Sequence, residues 1–154
     1  MKSIQDCKKI SIVGPVGSGK STLAKRLSEL LDLPVFHLDH ISDEDIDEAV
    51  MSDKWIIDGN RSESLAKRFR VADVIVWLNF PMEFCRESTI KRDPDLLIEI
   101  AFNIKDNTKT KKHIVPLAKQ YKEKVLEFKT REQINDFTSG INKQKVPTKI
   151  RTLL

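Results

Sequence analysis

The chain has 154 residues, with 40% hydrophobic and 32% charged side chains, a size and balance that point to one folded domain. Five glycines and six prolines exclude collagen-like or low-complexity chains, and no stretch reaches the roughly 20 apolar residues of a membrane span. The net charge of +4 is uneven: residues 1–80 carry 11 Lys/Arg against 13 Asp/Glu, and residues 81–154 carry 16 against 10.

Ile10-Ser11-Ile12-Val13 reads as a short buried strand, followed by a helix from about Lys20 to Leu31 with leucines at helical spacing. Pro34 ends that pattern and Val35-Phe36-His37-Leu38 reads as a second strand. Ser42 is placed to cap an acidic helix running to about Met51. Trp55-Ile56-Ile57 forms a third strand, Ser62 to Phe69 a helix, and Val74 to Leu78 a fourth strand closed by Pro81. A mostly helical stretch runs from Met82 to about Tyr121, with breaks near Asp93-Pro94 and Asn107. Val125 to Phe128 is the fifth strand. Thr130 and Gln133 then make a capping box for a last helix ending near Gly140. Short apolar strands alternating with helices imply a parallel sheet covered on both faces. Residues 1–140 are expected to form one domain, with a lid region at about 82–121 and a ragged basic tail at 141–154.

Gly14-Pro15-Val16-Gly17-Ser18-Gly19-Lys20-Ser21 fits G-x-x-x-x-G-K-[ST] between a strand and a helix. Such glycines let consecutive backbone N–H groups converge on phosphate oxygens, helped by the positive end of the helix. The expected nucleotide-binding residues are therefore Gly14, Pro15, Val16, Gly17, Ser18, Gly19, Lys20, Ser21 and Thr22. Lys20 would reach the β- and γ-phosphates of ATP, and the Ser21 hydroxyl would bind Mg²⁺. An Asp at the end of a neighbouring strand completes such metal sites, and Asp58 and Asp39 both end strands at the ligand-binding edge. Asp58 is expected at the metal; Asp39 fits an acceptor-binding group, a metal-site partner or a general base.

GPVGSGKST, PVFHLDH, WIIDGN and ADVIVWLNFP follow one another in the order seen in adenylate-kinase-like P-loop proteins. Over roughly residues 9–138 the chain most closely resembles the bacterial DNA topology modulation protein family. The resemblance implies the three-layer P-loop NTPase fold, an α/β architecture with five parallel strands in the order 2-3-1-4-5. It also implies ATP or GTP binding, a helical lid after the fourth strand, kinase-type roles for Asp39 and Asp58, and a lid arginine at Arg92. Lys129 and Thr130 would border the adenine edge, as that loop does in similar kinases. The chain departs from the family pattern at Arg61 (usually aromatic), Asn79 (usually Asp) and Ser88 (usually Arg). The segment Asp93-Pro94-Asp95-Leu96 also lacks an arginine-rich lid pattern.

Phosphoryl transfer needs charge neutralisation on the γ-phosphoryl oxygens, and Arg92 with Lys91 is the best candidate pair. Lys20, Asp39 and Arg92 are thus the candidate catalytic groups. An acceptor pocket is expected between the second and third strands, where residues 39–54 carry six acidic residues besides Asp39. A monophosphate would be repelled there unless Arg61, Arg68 and Arg70 compensate, so the expected acceptor is neutral or cationic.

Lys105, Lys109, Lys112, Lys119 and Lys122 offer a basic stripe for DNA, without helix-turn-helix or zinc-finger signals. The aromatics beside them, Phe102, Tyr121 and Phe128, are assigned to the core. His37, His40 and His113 lack metal-ligand partners in sequence, and Trp55 and Trp77 read as core. Cys7 and Cys85 make no disulfide framework, and the charged run MKSIQDCKKISIVG does not read as a signal peptide. The expected protein is a cytoplasmic, ATP- and Mg²⁺-dependent kinase of an unidentified small molecule, off the membrane, monomeric or homodimeric. The alternative is an ATP-binding or ATP-hydrolysing regulator affecting DNA topology through a macromolecular partner.

Overall fold

Strands with apolar residues on both faces are stable only when helices cover both sides. In the computed structural model, which describes residues 1–92 and 110–145, five such strands form one parallel sheet. They are β1 (Lys9–Val13), β2 (Val35–His37), β3 (Trp55–Asp58), β4 (Val74–Leu78) and β5 (Val125–Phe128), and their order is β2-β3-β1-β4-β5, as expected.

Helices α1 (Lys20–Leu31), α4 (Met82–Arg92) and α6 (Arg131–Lys145) pack over Ile10, Ile12, Ile56, Val74 and Val76. Helices α2 (Asp43–Met51), α3 (Ser62–Val71) and α5 (residues 110–120) cover the other face, over Val13, Trp55, Ile57 and Ile75. The caps form as expected: Ser42 Oγ accepts from the Asp45 amide at 3.2 Å, and Thr130 Oγ1 from the Gln133 amide at 3.2 Å. No helix among the described residues is long and apolar enough to cross a membrane.

The main differences from the sequence expectation are two boundaries and one burial. The second strand stops at His37, because Leu38 turns inward in a 3-10 turn and packs against Gly59. Helix α6 does not end at Gly140 but continues to Lys145. Ile134 and Ile141, seven residues apart and both buried, seat it in the core beside α1. That packing outweighs the ~1 kcal/mol helix penalty of a glycine. Trp77, expected in the core, is only partly buried. The expected breaks near Asp93-Pro94 and Asn107, the lid segment 93–96, Lys105, Lys109, Phe102 and the tail beyond 145 lie outside the described residues.

Arg68 of α3 is 0% exposed and bridges the helix to the sheet. Its Nη1 donates to Ser11 Oγ at 3.2 Å and its Nη2 to the Gly59 carbonyl at 2.7 Å. Burial lowers its pKa to about 9, opposed by the charge of Asp58. Arg68→Met keeps the volume but strands those acceptors, so it should lower stability by roughly 3 kcal/mol in thermal unfolding.

Candidate functional site

The glycines of the loop between β1 and α1 are needed for geometry. Gly17 has φ +83°, and a Cβ there would meet the Cys85 carbonyl and the Thr89 hydroxyl of α4. Left-handed backbone alone costs an ordinary residue ~1–2 kcal/mol. Gly17→Ala should therefore lower the melting temperature and push α4 off the loop, visible as weaker nucleotide binding. Gly19, at φ +89°, is the N-cap of α1 and supplies no side-chain cap. The first amides of the helix are thus left open for an anion.

Asn60 locks the start of the loop. Its Nδ2 donates to the Gly14 carbonyl at 2.6 Å, and its Oδ1 accepts from the Gly14 amide at 3.1 Å. No role for Asn60 is visible in sequence beyond its place after Asp58-Gly59.

Parallel register sets the carboxylate. His37 of β2 and Ile12 of β1 both pair with Asp58 of β3, so His37 and Asp58 meet at the carboxyl edge of the sheet. Asp58 is 3% exposed; Ser21 Oγ lies 3.5 Å from its Oδ1 and His37 Nδ1 lies 2.5 Å from its Oδ2. His37 thus has a partner that its sequence neighbours did not reveal. Among the described residues no cluster of three His, Cys, Asp or Glu forms a metal nest. Ser21 and Asp58 nevertheless fit Mg²⁺, which takes hard oxygen donors, often one carboxylate, with phosphates and waters completing its shell.

A cleft of about 280 Å³ opens over the loop. Lys20, Ser21, Asp39 and Arg92 line it together, with Val16, Gly17, Gly19, Thr22 and Ser88. Residues far apart in sequence therefore share one polar space. Lys20 Nζ donates to the Pro15 carbonyl at 3.0 Å. Burial lowers the Lys20 pKa, while Asp39 and Asp58 pull it back up.

Lys129 and Thr130 do not line this cleft. Lys129 Nζ faces Glu127 Oε1 at 4.0 Å, and Thr130 is occupied in capping α6. The next residue, Arg131, does line it, with its guanidinium beside Gly19 and 5.5 Å from the Phe84 ring centroid. Sequence reasoning missed Arg131, since the packing of α6 against α1 carries it there. Arg61 and Arg68, expected to compensate an anionic acceptor, are held within the chain. Arg61 Nη1 donates to Asp43 Oδ1 at 2.8 Å and its Nη2 to the Leu38 carbonyl at 2.7 Å. Lys67 likewise pairs with Asp47 at 2.8 Å, so two α2 carboxylates already have cations from α3 and its N-cap.

No protein-family model matches the chain, and no curated protein matches its sequence. Solved structures do. Shikimate kinase from Acinetobacter baumannii, in complex with shikimate, aligns with a TM-score of 0.62 at 17% identity, over 94% of this chain and 98% of that one. A gluconokinase from Sinorhizobium meliloti aligns at 0.58 with 13% identity, over 90% and 93%. Shikimate kinase from Bacteroides thetaiotaomicron aligns at 0.54 with 16% identity, over 90% and 98%. At these identities the likeness is one of architecture: the chain has the three-layer P-loop fold found in shikimate kinases and a gluconokinase.

Proposed function

We propose that the protein is a P-loop phosphotransferase that moves the γ-phosphoryl group of ATP to a hydroxyl of a small molecule. The observation that carries this reading is the convergence of Lys20, Ser21, Asp39 and Arg92 on one cleft at the carboxyl edge of the sheet. The likeness in fold to proteins named as small-molecule kinases supports it.

In this reading Lys20 and the amides from Val16 to Thr22 hold the phosphates. Ser21 and Asp58 hold Mg²⁺, which when bound neutralises phosphate charge. Asp39 takes the proton of the acceptor hydroxyl. A bond forms from that oxygen to the γ-phosphorus as the bond to the β–γ bridging oxygen breaks, and its electron pair leaves with ADP. Arg92 stabilises the charge on the transferring group. Arg131 takes the nucleotide-bordering place expected for Lys129 and Thr130. The finer kinship, with DNA topology modulation proteins, rests on the order of the segments quoted from the sequence.

Purified protein supplied with Mg²⁺·ATP and a panel of hydroxylated metabolites should form ADP faster with at least one acceptor than with none. An ADP rate that no acceptor changes, matched by free phosphate, would instead favour the ATP-hydrolysing regulator.

A further inference from the structure

A second cavity of about 440 Å³ lies against the start of the phosphate loop, and of the candidate residues only Gly14 and Pro15 line it. Its size falls in the range of about 300–1,000 Å³ usual for small-molecule sites. It opens between the carboxyl end of β4, the start of α4 and α5. Trp77, Phe80 and Ile114 give it an apolar wall with one broad aromatic surface. Lys111 and Asn79 supply polar groups at its edge.

We infer that this cavity is the acceptor site and that it takes a planar, largely apolar molecule carrying one anionic group. The inference rests on the phosphotransferase reading for the word acceptor, and on the cavity itself for the ligand class. Position is the first support. Pro15 lines this cavity and Val16 lines the phosphate cleft, and consecutive Cα atoms are about 3.8 Å apart. Consecutive residues of the phosphate loop therefore line the two spaces, and a hydroxyl held against Pro15 lies one residue from the phosphate cradle.

Shape and charge are the second support. Trp77 is only partly buried although β4 has a strand on each side, and it lines this cavity, so part of its ring is left for a flat ligand. Among the described residues Lys111, itself exposed, is the one charged group in the lining, and no carboxylate of theirs pairs with it. Asn79 Nδ2 is held by Glu127 Oε1 at 2.8 Å, which leaves its carbonyl oxygen as the group it has to offer. A flat body, an anion for Lys111 and a hydrogen-bond donor for Asn79 satisfy all three. This places the acceptor beside β4, rather than between β2 and β3, and makes it anionic where the acidic α2 had suggested a neutral or cationic one.

The test uses 8-anilinonaphthalene-1-sulfonate, a planar aromatic anion, and its uncharged analogue N-phenyl-1-naphthylamine. Wild-type protein should bind one sulfonate dye per chain with energy transfer from tryptophan. Lys111→Gln should weaken the sulfonate dye about threefold to fivefold, as expected for loss of one exposed charge pair, and leave the uncharged dye unchanged. Met82 lies at the rim, 38% exposed, and Met82→Trp should narrow the mouth and weaken both dyes. Circular dichroism and melting temperature check that both variants fold. In competition, 4-(hydroxymethyl)benzoate should displace the sulfonate dye at lower concentration than 4-(hydroxymethyl)benzylamine. Dye binding at many sites, indifference to both substitutions, or better displacement by the amine would overturn the inference. A protein that binds the dyes as expected yet phosphorylates no hydroxyl supports the cavity as a ligand site and contradicts the phosphotransferase reading instead.

Discussion

Lys20→Ala is expected to weaken Mg²⁺·ATP binding at least about 100-fold, equivalent to about 2.8 kcal/mol. Lys20 is the group around which the phosphate cleft closes, with its ammonium held at 3.0 Å by the Pro15 carbonyl. Burial lowers its pKa because the charged form has lost part of its hydration. An incoming phosphate restores that lost solvation with an opposite charge, and alanine removes it altogether. Calorimetric titration measures the loss; unchanged affinity would remove the phosphate site from this loop. The direction of the pKa shift adds a pH dependence. In the free protein, raising the pH through the lowered value neutralises Lys20 and weakens binding. Bound phosphate raises the value again, so binding in that range takes up protons. Titration in buffers of different ionisation enthalpy reads the uptake.

Asp58→Asn is expected to lower phosphoryl transfer by roughly 1,000-fold, in the range seen when one preorganised electrostatic contact to a reacting group is lost. The substitution keeps the shape of the side chain and removes only its charge. Ser21 Oγ and His37 Nδ1 still have an oxygen or nitrogen to face, while the metal loses its carboxylate. Nucleotide affinity measured without Mg²⁺ should change by only a few-fold, and the gain on adding Mg²⁺ should largely disappear. Equal gains in both proteins would show that the metal is held elsewhere. Asp58 also faces the buried Arg68 electrostatically, so a lower melting temperature accompanies the substitution.

The phosphate loop was legible in sequence because it is local: eight consecutive residues, a strand before and a helix after, dictate its geometry. The strand positions were legible for the same reason, since each is a short apolar run with a turn residue at its end. Asp39 was placed by its position at a strand end and Arg92 by resemblance, and the cleft they share depends on the crossover connections that bring strand ends together. Contacts set by register were not legible. Nothing in the order of residues says that His37 lies beside Asp58, or that Asn60 reaches back to Gly14; both follow from the pairing of β2, β3 and β1. Arg131 was hidden because the packing of α6 against α1 is what brings it to the cleft. The reach of α6 beyond Gly140 was hidden because the buried Ile141 overrides a local helix penalty.

The measurement that bears most directly on the central claim follows the γ-phosphoryl group itself. Wild-type protein, Asp58→Asn and a no-protein control are incubated with ATP labelled at the γ-phosphorus, Mg²⁺ and hydroxylated aromatic acids, and the products are separated. The label is expected in a phosphate ester of an acceptor with wild type, with ADP formed in equal amount, and in almost no ester with Asp58→Asn. Label found only in free phosphate, at a rate that no acceptor alters, would contradict the account.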